Sequence, residues 1–273
     1  MNSIEESLVP LEGTFNTRDL GGYHTMDGKV IKKGRLFRSD DLHLLSSKDI
    51  ALLEEMAITT IVDYRNDSER EKRPNKQISN TETVILAPDD PIAALASADI
   101  KSDQSKIDKL LKQDAEDSLD LSTNHLLTSM LNYVRQKQAQ TVYSDLLHLL
   151  IKQPNMATIQ HCRGGKDRTG YGTALILLAL GVKEETVIED YLLTNHFNRE
   201  RNEKRMNEYR HYTTNENVLA FLASAMATKR IVIEETINEM KHLSGSPLNY
   251  IKDYLHMSED ELNLLRKYYL EDI

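Results

Sequence analysis

The chain predicts an α/β fold: a central, mostly parallel sheet flanked by helices, with a helical C-terminal half. Three observations predict it. Short β-branched and apolar runs, Ile58-Thr59-Thr60-Ile61-Val62, Thr83-Val84-Ile85-Leu86 and Ala157-Thr158-Ile159, read as strands. Strand-like runs come first, and from residue 184 onward only helical stripes remain, which suits one α/β unit with a helical end. Neither an internal repeat nor a low-complexity linker interrupts the order, so residues 1–273 are read as a single domain.

In chain order, residues 1–12 read as a poorly ordered lead-in, and 15–23 open a turn-rich segment. The Asp27-Gly28 pair between 23–25 and 30–31 signals a hairpin, because Asp-Gly tolerates the positive φ of such turns. Residues 35–39 form a short strand. Ser46, with Asp49 three residues on, caps a helix running to about Met56. The strand at 58–65 ends in Asp63-Tyr64-Arg65, and a charged helix over 68–72 stops before Pro74. After the strand at 83–87, the Pro88-Asp89-Asp90-Pro91 run turns sharply.

Residues 92–121 are acidic and lack aromatics, with Ile100, Ile107, Leu110 and Leu111 at helical spacing. They are read as a solvated connecting helix or as a helical lid inserted over the site. Helices follow over 126–134 and 142–151, then a strand at 157–160. A nearly all-apolar helix over 169–180 is ended by Gly181. The remainder reads as helices over 184–194, 198–210, 216–240, 247–255 and 258–270, the last opened by a Ser258/Glu261 capping box.

A net charge of -9 argues against nucleic-acid or anionic-membrane partners, so an anionic substrate needs a local basic focus. No run of about 18 apolar residues is present, so no integral membrane segment is expected. The first residues lack a basic and apolar leader, which suits a cytoplasmic protein, or a secreted one if a leader has been removed. One cysteine permits neither an internal disulfide nor a multi-thiolate metal site. A lone cysteine is more often a small buried hydrophobe than a nucleophile, so the neighbours of Cys162 decide its reading.

Those neighbours are Ile159-Gln160-His161-Cys162-Arg163-Gly164-Gly165-Lys166-Asp167-Arg168-Thr169-Gly170. A strand-to-helix loop aims successive N–H groups into one concavity, and the helix dipole adds positive potential. Gly164 and Gly165 let the backbone curl, and Arg168 adds a planar fork for two phosphate oxygens. A thiol at such a rim is stabilised as the nucleophilic thiolate, which makes Cys162 the nucleophile. His161 orients the cysteine, and Thr169 donates its hydroxyl to the sulfur. A Walker A loop is excluded by Gln160 and by Lys166 being followed by Asp167. A zinc site is excluded by the single thiol beside His161.

The His161–Gly170 stretch resembles the His-Cys-x5-Arg-Ser/Thr loop of the protein tyrosine phosphatase superfamily. Its Gly-Lys-Asp-Arg-Thr-Gly ending is similar to a bacterial and fungal branch of tyrosine and lipid phosphatases. Phe15-Asn16-Thr17-Arg18-Asp19-Leu20-Gly21-Gly22-Tyr23, Gly34-Arg35-Leu36-Phe37-Arg38-Ser39 and Ile61-Val62-Asp63-Tyr64-Arg65 resemble the same branch in the same order. The likeness spans roughly residues 15–191. Tyr64, where the branch usually has leucine, departs from it and is expected to alter packing.

The resemblance implies the cysteine-phosphatase fold and a two-step reaction through a cysteinyl-phosphate, with no metal or cofactor. The implied partners are phosphotyrosine proteins and phosphoinositides, with phosphoserine and phosphothreonine as further targets. Arg163, Gly164, Gly165, Lys166, Thr169 and His161 would bind substrate beside the catalytic Cys162 and Arg168. Lysine at the place of Lys166 goes with lipid activity in similar loops, against a solvent-facing loop lysine as the alternative, and Arg163 is basic for the same reason. Most relatives carry the general acid on a Trp-Pro-Asp loop, and this chain has no tryptophan. Asp167 resembles the acid proposed for the branch, or else braces the loop. Asp63 is a supporting or alternative acid, and Asp89 and Asp90 lie on a Pro-flanked turn. Arg18, Asp19, Arg35, Arg38 and Asp40 are expected to form an ion-pair network beneath the loop. The alternative function is a catalytically silent phospho-binding scaffold, which would be expected to lose Cys162 or Arg168; both are present. A thiol-redox role lacks a resolving cysteine.

Overall fold

The computed structural model describes residues 4–89, 100–152 and 157–273. Strands β1 (Arg18–Asp19), β3 (Leu36–Ser39), β4 (Ile58–Asp63), β5 (Glu82–Ile85) and β6 (Ala157–His161) form a sheet in the order β1-β3-β6-β4-β5. The last four strands of that order are parallel, and β1 lies antiparallel at the edge. β2 (Val30–Ile31) pairs with β7 (Leu270–Glu271) in a separate ribbon. The sheet is mixed but mostly parallel and flanked by helices, as the sequence predicts.

Register decides what each face buries. Phe37, Ile159 and Ile61 stand side by side and pack on Leu42, Leu45 and Leu53, beside α2 (Ser47–Glu55). Their neighbours Leu36 and Val62 face the larger core built on α5 (Asn124–Arg135), α6 (Lys137–Lys152) and α7 (Asp167–Ala179), because strand side chains alternate. At the carboxyl ends of the same strands Ser39, His161 and Asp63 are adjacent, and the chain leaves β6 there for the 162–166 loop. The carboxyl end of a parallel sheet is where open α/β folds bind ligands. Every residue of α7 from Arg168 to Ala179 is buried, so the helix behind the loop is fixed on all sides. Gly181, at φ 87°, ends that run.

Several expectations need correction. Residues 1–3 of the lead-in lie outside the described residues, and the rest is packed, not loose: after α1 (Ile4–Ser7), Leu8 bridges to Arg18, and Val9 and Leu11 are buried with Phe37. The 216–240 run is two helices, α10 (Glu216–Met226) and α11 (Arg230–Ser244), separated at Ala227, Thr228 and Lys229. Asn195 of α8 (Glu184–Phe197) bonds both the N–H and the C=O of Thr228 there, which satisfies backbone that a continuous helix would have used. After α12 (Pro247–Asp253) and the capped α13 (Glu259–Tyr269), the tail returns as β7. Of the 92–121 insert, residues 92–99 lie outside the described residues. The rest holds α4 (Ile100–Ala115), whose Ile107 and Leu110 pack on Tyr209 of α9 (Arg199–Arg210) and on Val218, Leu219 and Leu222 of α10. No helix among the described residues is long and apolar enough to cross a membrane.

The expected ion-pair network forms around a different acid. Arg18 and Arg38 are cross-strand partners, both fully buried, and Asp190 of α8 joins them. Arg18 Nε donates to Asp190 Oδ1 at 3.2 Å, Arg38 Nη1 to Oδ2 at 2.5 Å, and Tyr23 Oη to Oδ1 at 3.0 Å. Burial raises the Asp190 carboxyl, but the two guanidiniums outweigh it and hold it below the usual carboxylate range. Asp19 follows Arg18 on the strand and so points to the other side, where it accepts from the N–H groups of Gly21 and Gly34 at 2.8 and 2.7 Å. Asp40 accepts from the N–H groups of Phe15 and Asn16 at 3.1 and 3.0 Å, and Arg35 gives its carbonyl to Thr158 N–H at 2.9 Å.

Asp190→Asn leaves two guanidiniums buried without their carboxylate. Urea unfolding is expected to report a loss of about 3–5 kcal/mol, the cost of stranding a buried charge. An unchanged midpoint contradicts this role.

Candidate active site

Cys162 follows the fully buried strand β6 and is itself 3% exposed. Beyond it the loop carbonyls are tied outward. Arg38 Nη2 and Asn16 Nδ2 donate to the Gly165 carbonyl at 2.7 and 2.9 Å, and Asn198 Nδ2 donates to that of Gly164 at 2.9 Å. The C=O and N–H of a trans peptide point in opposite directions. Fixing these two carbonyls against the scaffold therefore turns the N–H groups of Gly165 and Lys166 into the concavity of the loop. Only one of the two glycines is required by geometry. Gly165 has φ 61°, and a Cβ there would stand 2.6 Å from the Ser39 carbonyl. At Gly164 a Cβ would meet nothing closer than the Arg201 guanidinium at 3.6 Å.

Arg168, in the first turn of α7, is held by a residue the sequence reading missed. Its Nη1 and Nη2 donate to Glu69 Oε2 and Oε1 at 2.7 and 2.8 Å, and Nη1 also reaches the Tyr64 carbonyl at 3.0 Å. Burial alone would lower the guanidinium's pKa; Glu69 and the nearby Cys162 more than reverse that and fix the charge. Glu69 sits in α3 (Asp67–Lys72), where it also closes the capping box with Asn66. That second duty hid it, since a Glu at the third helical position explains itself as a cap. Its burial to 1% exposure is the signal of a further partner.

His161 is fully buried behind Cys162. Its Nε2 accepts from Asn75 Nδ2 at 3.1 Å, which places the ring proton on Nδ1, 3.3 Å from the Cys162 carbonyl that accepts it. Burial lowers the imidazole pKa despite Asp63, so the ring is a neutral brace for the cysteine backbone. Asp63 lies 3.6 Å from Nε2, and Arg65 Nε and Nη2 grip it at 2.9 and 2.7 Å. Burial pushes this carboxyl up, but the imidazolium that His161 becomes in acid and the Arg65 guanidinium pull it down to about 2. A carboxyl held at that acidity is ionised near neutrality and stands as the charged partner of Arg65.

Asp167 opens α7 with its Oδ2 3.5 Å from Lys166 Nζ, and its Oδ1 is buried without a hydrogen-bond partner among the described residues. Thr169 Oγ1 is in the same condition. Lys166 is no solvent-facing lysine: it is 8% exposed, and Nζ donates to the Ala225 carbonyl at 2.5 Å, at the end of α10. A cation on the last carbonyls of a helix is favourable there, so Lys166 ties the loop to α10. Arg163 lies 3.5 Å from Asp41. Asp89 is exposed, its N–H donating to Gln138 Oε1 at 2.8 Å, and Asp90 lies outside the described residues. Tyr64 is buried with its Oη on Gln160 Oε1 at 2.7 Å, in the space where a Cβ on Gly172 would stand 2.5 Å away. The departure at Tyr64 is thus one of packing, matched by a glycine in the facing helix.

Comparison with known proteins gives the family of the chain. The family model described as "Tyrosine phosphatase family" matches residues 9–271. The triple specificity protein phosphatase PtpB of Mycobacterium tuberculosis is 28% identical over 194 residues, covering 68% of each chain. A putative tyrosine-protein phosphatase of Cupriavidus necator is 25% identical over 256 residues, covering 93% of this chain and 85% of its own. Among solved structures, TpbA of P. aeruginosa in complex with phosphotyrosine aligns with TM-score 0.35 and 14% identity, covering 84% of this chain and 100% of TpbA. With the family match spanning nearly its whole length, the chain belongs to the tyrosine phosphatase family.

Proposed function

We propose that this phosphatase is cysteine-dependent and hydrolyses phosphotyrosine in two steps through Cys162. The observation that carries the reading is the pairing of an inward-facing loop backbone with an Arg168 fork clamped by Glu69, both beside the one thiol of the chain. In the first step Cys162 Sγ attacks phosphorus, the bond to the leaving oxygen breaks, and that oxygen takes a proton from Asp167. In the second, water attacks the cysteinyl-phosphate while Asp167 takes its proton, the S–P bond breaks, and Thr169 Oγ1 donates to the departing thiolate. Arg168 and the loop amides hold the non-bridging oxygens throughout, so positioning and electrostatics supply the acceleration. The unpartnered Asp167 Oδ1 and the Arg65-gripped Asp63 support Asp167 as the acid.

Phosphoserine, phosphothreonine and phosphoinositides are proposed as further substrates, a range in keeping with the name of the mycobacterial relative. The tie from Lys166 to the end of α10 supports a linking role for that lysine, and lipid activity through it requires the tie to open. The silent-scaffold alternative is disfavoured because nucleophile and fork are both present and braced.

Purified protein is expected to release phosphate from a phosphotyrosine peptide without added metal, with the phosphoserine peptide, phosphothreonine peptide and phosphoinositide vesicles run beside it. Activity of Cys162→Ser equal to that of wild type would sink the reading. For the acid, Asp167→Asn is expected to lower kcat roughly 10²- to 10⁴-fold on a substrate with a poor leaving group and to flatten the alkaline fall of the pH–rate profile. A profile that keeps its alkaline limb shows that the proton comes from elsewhere.

A further inference from the structure

Buried polar atoms without partners gather on one side of the loop. His125, in the first turn of α5, has both ring nitrogens buried without a hydrogen-bond partner among the described residues, and so has Asp167 its Oδ1. A buried histidine is normally bonded, because a polar group cut off from water with no partner costs stability. This ring is held instead by packing, its centroid 4.8 Å from that of Phe221 in α10. One turn further along α10 the Ala225 carbonyl takes the Lys166 ammonium, which stands 3.5 Å from Asp167 Oδ2. The imidazole and the Asp167 carboxyl therefore face the same ammonium, one from α5 and one from α7. Burial, and after it Lys166 and Lys229, lower the imidazole pKa, with Asp120 and Asp167 opposing them. The ring is thus neutral near pH 7, with one N–H to donate. Tyr191 of α8 also faces Asp167, and burial together with that carboxyl keeps its hydroxyl protonated.

We propose that His125 is a positioning residue for the general acid: its ring N–H donates to Asp167 Oδ1 and turns the other oxygen, Oδ2, toward the leaving group. The inference rests on the reading of Asp167 as the acid. Neither atom has a bond to give up in forming this one. The two oxygens of Asp167 also differ in access. The side chain is 29% exposed although Oδ1 is buried, so Oδ2 is the oxygen that a substrate can meet. A carboxyl free to turn about its Cβ–Cγ bond presents either oxygen, and a donor on the buried one fixes which. The proton path is that of the two proposed steps, from Oδ2 to the leaving oxygen and from water back to Oδ2, and the imidazole keeps its own proton throughout. As Asp167 gives up its proton, the bond from His125 becomes charge-assisted and strengthens, so it favours the transition state over the bound substrate. Lys166 does not serve in its place, because its ammonium is committed to the Ala225 and Ala227 carbonyls and stands on the Oδ2 side.

The test reads the pH dependence of kcat/KM in His125→Phe, which keeps a ring on Phe221 and removes both nitrogens, and in His125→Gln, which keeps an N–H donor. The substrates are a phosphotyrosine peptide, with a poor leaving group, and p-nitrophenyl phosphate, with a good one. His125→Phe is expected to lose roughly three- to tenfold on the peptide and less on p-nitrophenyl phosphate. A hydrogen bond to the charged carboxylate favours that form, so without it the proton leaves at higher pH. The alkaline limb is therefore expected to move up by about half to one pH unit. His125→Gln is expected to restore part of both, and His125→Phe to cost nothing further in an Asp167→Asn background. An alkaline limb that stays in place in His125→Phe, shown to be folded by urea titration, overturns the proposal, as does an added loss in the Asp167→Asn background. If His125→Phe does not fold, the same two readings on His125→Leu decide. An Asp167→Asn enzyme that keeps its alkaline limb removes the acid reading and the role of His125 with it. A limb flattened by Asp167→Asn but unmoved by His125→Phe removes the role of His125 alone.

Discussion

The site depends on one backbone being turned so that its carbonyls face the scaffold and its amides face the concavity of the loop. Left alone, a loop of this kind has no reason to prefer that orientation, since either face of a peptide can be solvated. Here the choice is made by donors placed behind the loop. Arg38 and Asn16 take the Gly165 carbonyl and Asn198 takes that of Gly164. Arg38 can do so only because Asp190 fixes its other amino group. The inward face of the loop, which we propose holds the phosphate, is thus built from the rear, by a strand, a helix and an N-terminal turn.

The same logic recurs around the loop. Arg168 is aimed by Glu69, Asp63 is gripped by Arg65, and Asp190 serves two arginines at once. Each is a carboxylate–guanidinium pair at almost complete burial, where desolvation consumes most of the Coulombic gain. Apolar replacements of similar volume would give comparable or greater stability. What the pairs provide is position: a planar fork held by a second fork has little rotational freedom. Helix α7 completes the arrangement, because a helix buried on every side presents its N-terminus to the loop at one angle only.

Much of this was legible in the sequence, and the limits have physical causes. Strand runs such as 58–62 and 157–160 were readable because buried parallel strands carry β-branched residues with little else. The loop was readable because its chemistry is local: thiol, glycine and fork lie within seven residues, Cys162 to Arg168. Glu69 and Asp190 were not, because their partners are 99 and 172 residues away and each has a self-sufficient local reading. Asp19 and Asp40 look like better partners for Arg18 and Arg38 in sequence, but strand alternation and main-chain N–H groups claim them. The interruption between α10 and α11 was hidden because Ala227-Thr228-Lys229 contains no glycine or proline, and the interruption is made by a side chain from another helix.

The central claim is that this loop makes Cys162 the carrier of the phosphoryl group. Acid-quenching the enzyme during turnover of a phosphotyrosine peptide, followed by mass analysis of its fragments, tests that directly. The account predicts one phosphoryl group on the fragment containing Cys162, absent from Cys162→Ser. Steady turnover with no phosphorylated fragment, or with the phosphoryl group on His161 or any other residue, contradicts it.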